Sequence, residues 1–174
     1  IPAKPATVAV VVGYEAELVR AELTALQNEP PFSAAAIVTT VQGEQLGTGH
    51  AAQIGLAALP AGDQPVVILP GDVPLLSPAT VEQLVTAYQN SDAELLVLSC
   101  VHPHPDGFGR IVRDAGGRPT AIVEHRDCTP EQRAIREINS SIYMASSAFL
   151  KEALGSLKNN NVQGEYYLTD IVGY

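Results

Sequence analysis

A single carboxylate follows an apolar segment near the middle of the chain. Residues 65–69 are rich in β-branched side chains and end at a Pro-Gly turn, and the first charge after them is Asp72. This pattern predicts a buried central strand. Ligands of parallel α/β sheets bind beyond the carboxyl ends of the strands, where a carboxylate can hold Mg²⁺ together with phosphate oxygens. Gly-Asp pairs are also common in turns, so the alternative is that Asp72 only closes a turn.

A glycine-rich loop at residues 42–49 supplies a second set of chemically useful groups. It combines glutamine side chains with several glycines. A glutamine amide can pair with a nucleobase edge, and glycine lets the backbone approach a planar ring. The loop matches neither the P-loop nor the dinucleotide-binding fingerprint. The alternative is an ordinary strand-to-helix connection.

Polar residues also interrupt apolar segments in the second half of the chain. Glu124 closes a short apolar strand, and Asn139 lies within an otherwise apolar stretch. Carboxylate and amide groups together can bind sugar hydroxyls, although each could equally be a satisfied buried group. Residues 165–170 are dense in polar and aromatic side chains, and Thr169 and Asp170 either belong to a site or begin a helix.

Cations are scarce near these candidates. The lysines are Lys4, Lys151 and Lys158, none of them in a glycine-rich loop, and Arg110 is the basic residue beside a candidate site glycine. Transfer of a phosphoryl or nucleotidyl group needs cations where negative charge develops. The chain therefore looks short of its own phosphate clamp. The histidines at 102 and 104 are separated by proline without a third ligand, which favours a solvated loop over a metal site.

The first half of the chain predicts alternating strands and helices. Apolar runs predict buried strands, and helical periodicity or Ser-Pro capping predicts helices, at residues 7–12, 15–26, 36–41, 49–59, 65–69, 77–90 and 95–101. This β-α order predicts a parallel sheet with helices on both faces.

The second half predicts a different pattern. A hairpin is expected at residues 110–113 and 119–124, and Thr129, Pro130 and Gln132 form a capping-box start for a short helix. A strand at 137–145 and a helix at 146–157 follow. A polar loop at 159–167 then leads to a final helix.

Composition excludes several classes of protein. The 174 residues carry a formal net charge of −9, which argues against nucleic-acid and membrane-surface binding. No apolar run approaches the roughly 20 residues of a membrane span. We interpret Cys100 and Cys128 as reduced thiols of a cytoplasmic protein. Because the chain begins at Ile1 and ends in the predicted final helix, we expect it to be part of a longer protein.

Short motifs occur in a definite order along the chain. They are Glu-Gln-Leu-Gly-Thr-Gly-His-Ala at 44–51, Gly-Asp-Val-Pro-Leu at 71–75, Gly-Phe-Gly-Arg-Ile at 107–111, Ile-Val-Glu-His at 122–125, Glu-Ile-Asn at 137–139 and Asn-Asn-Asn-Val-Gln-Gly-Glu-Tyr-Tyr-Leu-Thr-Asp at 159–170. Together they closely resemble the uridyltransferase domain of the bacterial bifunctional GlmU family, from about Val8 to Ile171.

The resemblance implies an α/β, Rossmann-like nucleotidyltransferase fold of the GT-A-like kind. This fold has a mostly parallel sheet with helices on both faces and a small sugar-binding hairpin subdomain. Residues 1–174 would be a partial domain, with a nucleotide-binding half at 7–101 and a sugar-binding half at 102–174. The implied reaction joins UTP and N-acetylglucosamine 1-phosphate into UDP-N-acetylglucosamine and pyrophosphate with Mg²⁺, for peptidoglycan and lipopolysaccharide precursors.

The resemblance also implies roles for individual residues. Uracil would be read by Gln42, Gly47 and Thr48. Gly71 would lie by the ribose, and Asp72 would ligate Mg²⁺. The acetamido sugar would be held by Gly109, Glu124, Asn139, Tyr167 and Thr169. The sugar phosphate would attack the α-phosphorus of UTP in line, without a covalent intermediate.

Some features depart from the family pattern. The family's first strand and its glycine-rich triphosphate loop have no counterpart here, and a metal-binding Asn would lie beyond Tyr174. Pro70 replaces a frequent Tyr, and Ser141 replaces a usual Gly. The parent protein would be a homotrimer assembled through an absent C-terminal β-helix. Two alternatives stay open: a non-catalytic nucleotide-sugar binding module, and a related nucleotidyltransferase for another sugar or base.

Overall fold

The computed structural model describes residues 4–30 and 34–174. Its strands are β1 (Thr7–Val12), β2 (Ala36–Val41), β3 (Pro65–Ile68), β4 (Leu95–Val101), β5 (Arg110–Arg113), β6 (Pro119–Val123) and β7 (Glu137–Ser146). Its α-helices are α1 (Ala16–Gln27), α2 (Thr48–Ala57), α3 (Pro78–Gln89), α4 (Pro130–Arg133) and α5 (Ser147–Gly155). A 3₁₀ helix (Leu168–Gly173) occupies the position of the predicted final helix. The connection at residues 28–33, for which we expect a loop between the predicted helix at 15–26 and the predicted strand at 36–41, lies partly outside the described residues.

Local capping chemistry sets the starts of two helices. The Ser77 hydroxyl accepts a hydrogen bond from the Thr80 backbone N–H at 3.2 Å, ahead of Pro78 in the first turn of α3. Helix α4 begins with a reciprocal capping box between Thr129 and Gln132. These contacts satisfy N–H groups that have no partner within the helix, so both predicted starts are confirmed. None of the helices in the described part of the chain is long and apolar enough to cross a membrane.

The strands form two sheets. Strands β1 and β2 pair in parallel, from Thr7 opposite Ala36 to Val12 opposite Val41. In the second sheet the long strand β7 has β4 along one edge and β3, then β5, along the other, with β6 beyond β5. All of these pairings with β7 are antiparallel. The hairpin of β5 and β6 is as predicted.

The sheet order corrects one expectation drawn from the alternating pattern. Strands β3 and β4 are not neighbours, because β7 lies between them and reverses the direction of pairing. Within the described residues, the parallel arrangement is limited to β1 and β2. Among the strands of residues 4–30 and 34–174, β3 has a single partner and is therefore not the central strand of its sheet.

Most of the buried hydrophobic core lies in the second half of the chain. Its fully buried side chains include Tyr143 of β7, Leu150 and Leu154 of α5, and Ile171 of the 3₁₀ helix. In contrast, Val12 is the one fully buried residue of β1, and α1 has none. The prediction that β1 is a buried strand is therefore wrong for this chain, since its other apolar side chains remain partly exposed.

Candidate active site

Gln42 lies directly after β2 and is held by hydrogen bonds on both its backbone and its side chain. Its backbone N–H donates to the Val12 carbonyl at 2.8 Å. Its side-chain Nε2 donates to the Gly47 carbonyl at 3.0 Å and lies 3.2 Å from Nδ1 of His50. Strand β2 and the first turn of α2 therefore position this amide together. Gln42 is half-buried, so its remaining polar atom can meet a ligand.

The start of α2 packs against a segment that lies more than a hundred residues later in the chain. The Gly49 N–H donates to the Tyr166 carbonyl at 2.8 Å, and the Tyr166 N–H donates to the Leu46 carbonyl at 2.8 Å. A Cβ atom added to Gly47 would lie 2.6 Å from the Tyr166 carbonyl oxygen, and one added to Gly49 would lie 2.5 Å from a methyl carbon of Leu157. The close approach of the two backbones therefore requires glycine at both positions.

Thr48 completes this junction. Its hydroxyl accepts a hydrogen bond from the Leu168 N–H at 3.0 Å. Residues 165–169 belong to this same segment and lead to the group of polar side chains described next. The loop predicted to read a base and the motif predicted to hold a sugar thus share one rigid connection.

Gly109, Glu124 and Asn139 converge from three different elements. A Cβ atom added to Gly109 would lie 3.4 Å from Oε1 of Glu124 and 3.6 Å from Cβ of Asn139. Burial raises the pKa of the Glu124 carboxyl, the Thr169 hydroxyl opposes this shift, and the negative charges of Asp127 and Asp170 add to it. Three of the residues predicted to hold the sugar therefore meet in one place.

Several buried polar atoms in this region have no hydrogen-bond partner. Within the described residues they include the hydroxyls of Tyr167 and Thr169 and Oδ2 of Asp127. Thr169 lies beside Glu124, although its hydroxyl makes no hydrogen bond of good geometry. Buried polar groups in proteins are normally paired with protein atoms or ordered water, so these atoms have capacity for further hydrogen bonds.

Asp127 was missed in the sequence analysis. Its Oδ1 accepts a hydrogen bond from the Val162 N–H at 3.0 Å, which attaches the 159–167 loop to the turn after β6. Burial and the Asp127 charge both raise the pKa of the Tyr167 hydroxyl. The available signal was its spacing, because Asp127 follows Glu124 by one short turn and lies two residues beyond the Ile-Val-Glu-His motif.

Asn139 has internal partners that compete with a binding role. Its Nδ2 donates to the Tyr143 hydroxyl at 2.6 Å, and its Oδ1 accepts from the Ser141 N–H at 3.0 Å. Burial raises the pKa of Tyr143, which keeps that hydroxyl protonated. Since one hydrogen of Nδ2 remains available, Asn139 can both stabilise β7 and donate to a ligand.

Gly71 and Asp72 lie in an exposed turn after β3. In the residues that the structure describes, no hydrogen bond or ion pair joins Asp72 to the loop that contains Gln42 or to the polar side chains around Glu124. Because β3 is at an edge, the prediction that Asp72 follows a central strand is wrong. No atoms approach within 4 Å of a Cβ atom added to Gly71, so the backbone there is open to a ligand.

Arg110, the basic residue beside a candidate site glycine, points into the protein. Its side chain is fully buried, with NH1 donating to the Phe108 carbonyl and NH2 lying 3.4 Å from Nδ1 of His125. It is therefore not a free phosphate ligand. In the described residues no group of three or more His, Cys, Asp or Glu side chains could hold a metal ion. His102 and His104 lie in the loop that follows β4.

Comparison with known proteins assigns this arrangement to a family. The model of the MobA-like NTP transferase domain matches residues 2–150, which is most of the chain. The chain belongs to the MobA-like NTP transferase domain family. A solved structure shows the same fold: a UDP-glucose pyrophosphorylase complexed with UDP-glucose aligns with a TM-score of 0.70 at 17% identity, covering 95% of this chain and 67% of that one. The predicted α/β nucleotidyltransferase fold class is confirmed, with the mostly parallel strand pairing corrected as described above.

Curated relatives of this NTP transferase domain are more similar in sequence. The bifunctional protein GlmU of Azotobacter vinelandii is 47% identical over 169 residues, and that of Corynebacterium aurimucosum is 42% identical over 168 residues. Each alignment covers 97% of this chain and 34% of the relative. The chain thus spans about a third of the length of these relatives. The resemblance to GlmU inferred from the motifs is confirmed.

Proposed function

We propose that this NTP transferase domain belongs to a uridylyltransferase. It would join UTP and N-acetylglucosamine 1-phosphate, forming UDP-N-acetylglucosamine and pyrophosphate for cell-wall precursors in the cytoplasm. The observation that carries the proposal is that residues 166–169 connect the loop that contains Gln42 to the polar side chains around Glu124. One segment contacts the base-reading loop at Gly49 and Thr48 and contributes Thr169 to the sugar group.

The nucleotide would occupy the half formed by residues 7–101. Gln42, Gly47 and Thr48 would contact uracil, and Gly71 would lie beside the ribose. The support is the fixed Gln42 amide and the exposed backbone around Gly71. Glycine at position 71 leaves room for a sugar ring to approach the backbone.

The sugar phosphate would occupy the half formed by residues 102–174. Glu124 would accept hydrogen bonds from sugar hydroxyls, and the unpaired hydroxyls of Tyr167 and Thr169 would gain partners. The remaining contacts would come from Gly109 and Asn139. A polyol ligand would thereby satisfy the polar atoms that folding has left without partners.

A divalent cation, Mg²⁺ in our proposal, would be held by Asp72. The Asp72 carboxylate is exposed and has no ion pair within the described residues, so it can act as a ligand. Mg²⁺ needs only one or two carboxylates when phosphate oxygens and water fill its other positions. When bound, it would neutralise charge on the phosphates.

The chain's own contribution to the reaction is positioning. Gln42 and Gly47 would fix the base, and Glu124 and Thr169 would fix the sugar, so that the sugar phosphate oxygen faces the α-phosphorus. Holding two reactants in line converts a bimolecular step into an effectively unimolecular one. Since cations are scarce here, the charge on the β- and γ-phosphates would be met by segments outside this chain, in a parent protein that we propose to be trimeric.

A chimera tests this function. The chain would replace the corresponding residues of the Azotobacter vinelandii GlmU, and pyrophosphate release would be followed with UTP, N-acetylglucosamine 1-phosphate and Mg²⁺. We expect turnover, and a loss of at least about 100-fold in Asp72→Asn. The matched control is Asp92→Asn, an exposed aspartate with no contact to either polar group. Full activity of Asp72→Asn would remove Asp72 from the mechanism.

A second function is favoured by the orientation of Arg110 and the shortage of lysines. A domain without a phosphate clamp would bind a nucleotide sugar without catalysing its formation. Calorimetry on the chain would then show UDP-N-acetylglucosamine binding, while the chimera would release no pyrophosphate. A panel of sugar phosphates would separate the proposed reaction from that of a related nucleotidyltransferase.

A further inference from the structure

The Gln42 amide has only one orientation that its neighbours permit. A backbone carbonyl can only accept a hydrogen bond, so the atom 3.0 Å from the Gly47 oxygen must be the NH₂ group of Gln42. The same nitrogen lies 3.2 Å from Nδ1 of His50. Both hydrogens of the amide are thereby directed towards the protein.

This geometry also specifies the state of His50. An NH₂ group has no lone pair to offer, so His50 Nδ1 must be the acceptor and must carry no proton. The ring proton then lies on Nε2. A proton on Nδ1 would face the NH₂ group and leave two donors opposed.

The consequence is that Gln42 presents only an acceptor. Its Oε1 has no hydrogen-bond partner among the described residues. On the pairing edge of uracil the single donor is N3–H, between two carbonyl acceptors, whereas N3 of cytosine is itself an acceptor. Cytosine carries its own donor at the exocyclic N4, so the discrimination applies to a glutamine oxygen that faces N3. Such an oxygen pairs with N3–H of uracil and is repelled by N3 of cytosine.

We infer that His50 is a positioning residue that fixes the Gln42 amide so that the site selects uracil over cytosine nucleotides. His50 acts through Gln42 and makes no contact with the base. This inference rests on the proposed function, since it assumes that a pyrimidine nucleotide binds beside Gln42. Thymine has the same pairing edge as uracil, so the device does not discriminate between these two bases.

Enzyme kinetics on the chimera test the inference through a ratio. We would measure kcat/KM with UTP and with CTP for the unchanged sequence, His50→Leu and His50→Asn. Leucine removes one of the two acceptors that hold the NH₂ group and leaves only the Gly47 carbonyl, so it becomes less costly for the Gln42 amide to turn and donate to cytosine N3. The UTP-to-CTP ratio should fall by about tenfold or more, mainly through KM. Asparagine offers Oδ1 at the position of Nδ1, so it should restore most of the ratio.

Nitrogen NMR on the 174-residue chain provides a test that needs no turnover. The His50 ring should show an unprotonated Nδ1 and a protonated Nε2 in the absence of nucleotide. A protonated Nδ1 would overturn the inference. An unchanged UTP-to-CTP ratio in a folded and active His50→Leu variant would also overturn it, while leaving the proposed function intact. No turnover of any nucleotide by the unchanged chimera, with the expected NMR result, would instead overturn the proposed function, and with it the inference.

Discussion

Ser141 adopts a backbone conformation that suits glycine better than serine. Its φ is +62°, in the left-handed region, and it lies where the register of β7 shifts against Leu98 and Ser99 of β4. The left-handed conformation costs an L-residue roughly 1–2 kcal/mol. Glycine avoids this cost, but part of the gain is lost because glycine has more conformational entropy in the unfolded chain. The family resemblance also expects glycine here.

We therefore predict that Ser141→Gly stabilises the chain by about 0.5 kcal/mol in urea unfolding. The matched control is Ser140→Gly, where the φ angle is not positive and the lost hydroxyl donates to the Leu98 carbonyl at 2.6 Å. That variant should lose about 1–2 kcal/mol. If both variants were destabilised equally, strain at Ser141 would not be the explanation.

Glu124 illustrates a conflict between stability and binding. Burial raises its folded pKa above the ordinary value of 4.5, so folding favours the protonated carboxyl. The resulting loss of folding stability is absent below the pKa of the unfolded state. It grows as the pH rises towards the pKa of the folded state and reaches its full size above that pKa. We predict that Glu124→Gln is more stable than the unchanged chain at pH 7, with the difference vanishing at low pH.

The same substitution should weaken sugar binding. Glu124→Gln replaces a two-oxygen acceptor by an amide with one, so the affinity for N-acetylglucosamine 1-phosphate should fall about tenfold or more. Urea unfolding at pH 7 and pH 4 measures the first effect, and calorimetry measures the second. Glu44→Gln, at an exposed position with no such burial, is the control. A loss of stability at pH 7 would contradict the assigned cause of the pKa shift.

At the scale of elements, the sequence predicted what local chemistry determines. The β-branched run of β1, the Ser-Pro start of α3 and the capping box of α4 were all found at the expected positions. The neighbours of β7 were not predicted, because strand order depends on packing between distant segments rather than on periodicity. The same holds for the candidate site. Its motifs could be recognised in the sequence, but the contact between Gly49 and Tyr166 was not predicted, because it joins residues far apart in the chain.

That contact yields a prediction about α2. Gly49→Ala would place a methyl group 2.5 Å from Leu157 and 2.9 Å from the Tyr166 carbonyl, so the segment of residues 165–169 must move. We expect a loss of about 1–3 kcal/mol in unfolding free energy, with weaker binding of both nucleotide and sugar phosphate. Gly43→Ala, where nothing lies within 4 Å, should change neither. An effect on only one ligand would argue against a shared connection.

At the scale of the whole molecule, each of the two sheets has an unpaired edge in the first half of the chain. Strand β1 pairs only with β2, and β3 pairs only with β7, among the residues that the structure describes. Apolar side chains remain partly exposed nearby, including Val8 at 37% and Leu69 at 47%. Unpaired strand edges and partly exposed apolar runs are features that proteins normally cover.

The family resemblance includes a first strand and a glycine-rich loop ahead of the segment that matches β1. We predict that this strand pairs with the free edges of β1 and β3 and joins the two sheets into one. Adding the corresponding segment of the Azotobacter vinelandii GlmU ahead of Ile1 should slow amide hydrogen exchange in β1, β3 and α1 by about tenfold or more, since a paired edge exchanges only through larger openings. Exchange in β7, which already has neighbours on both edges, serves as the internal control. Protection that rose in β7 but not in β1 and β3 would place the added strand elsewhere.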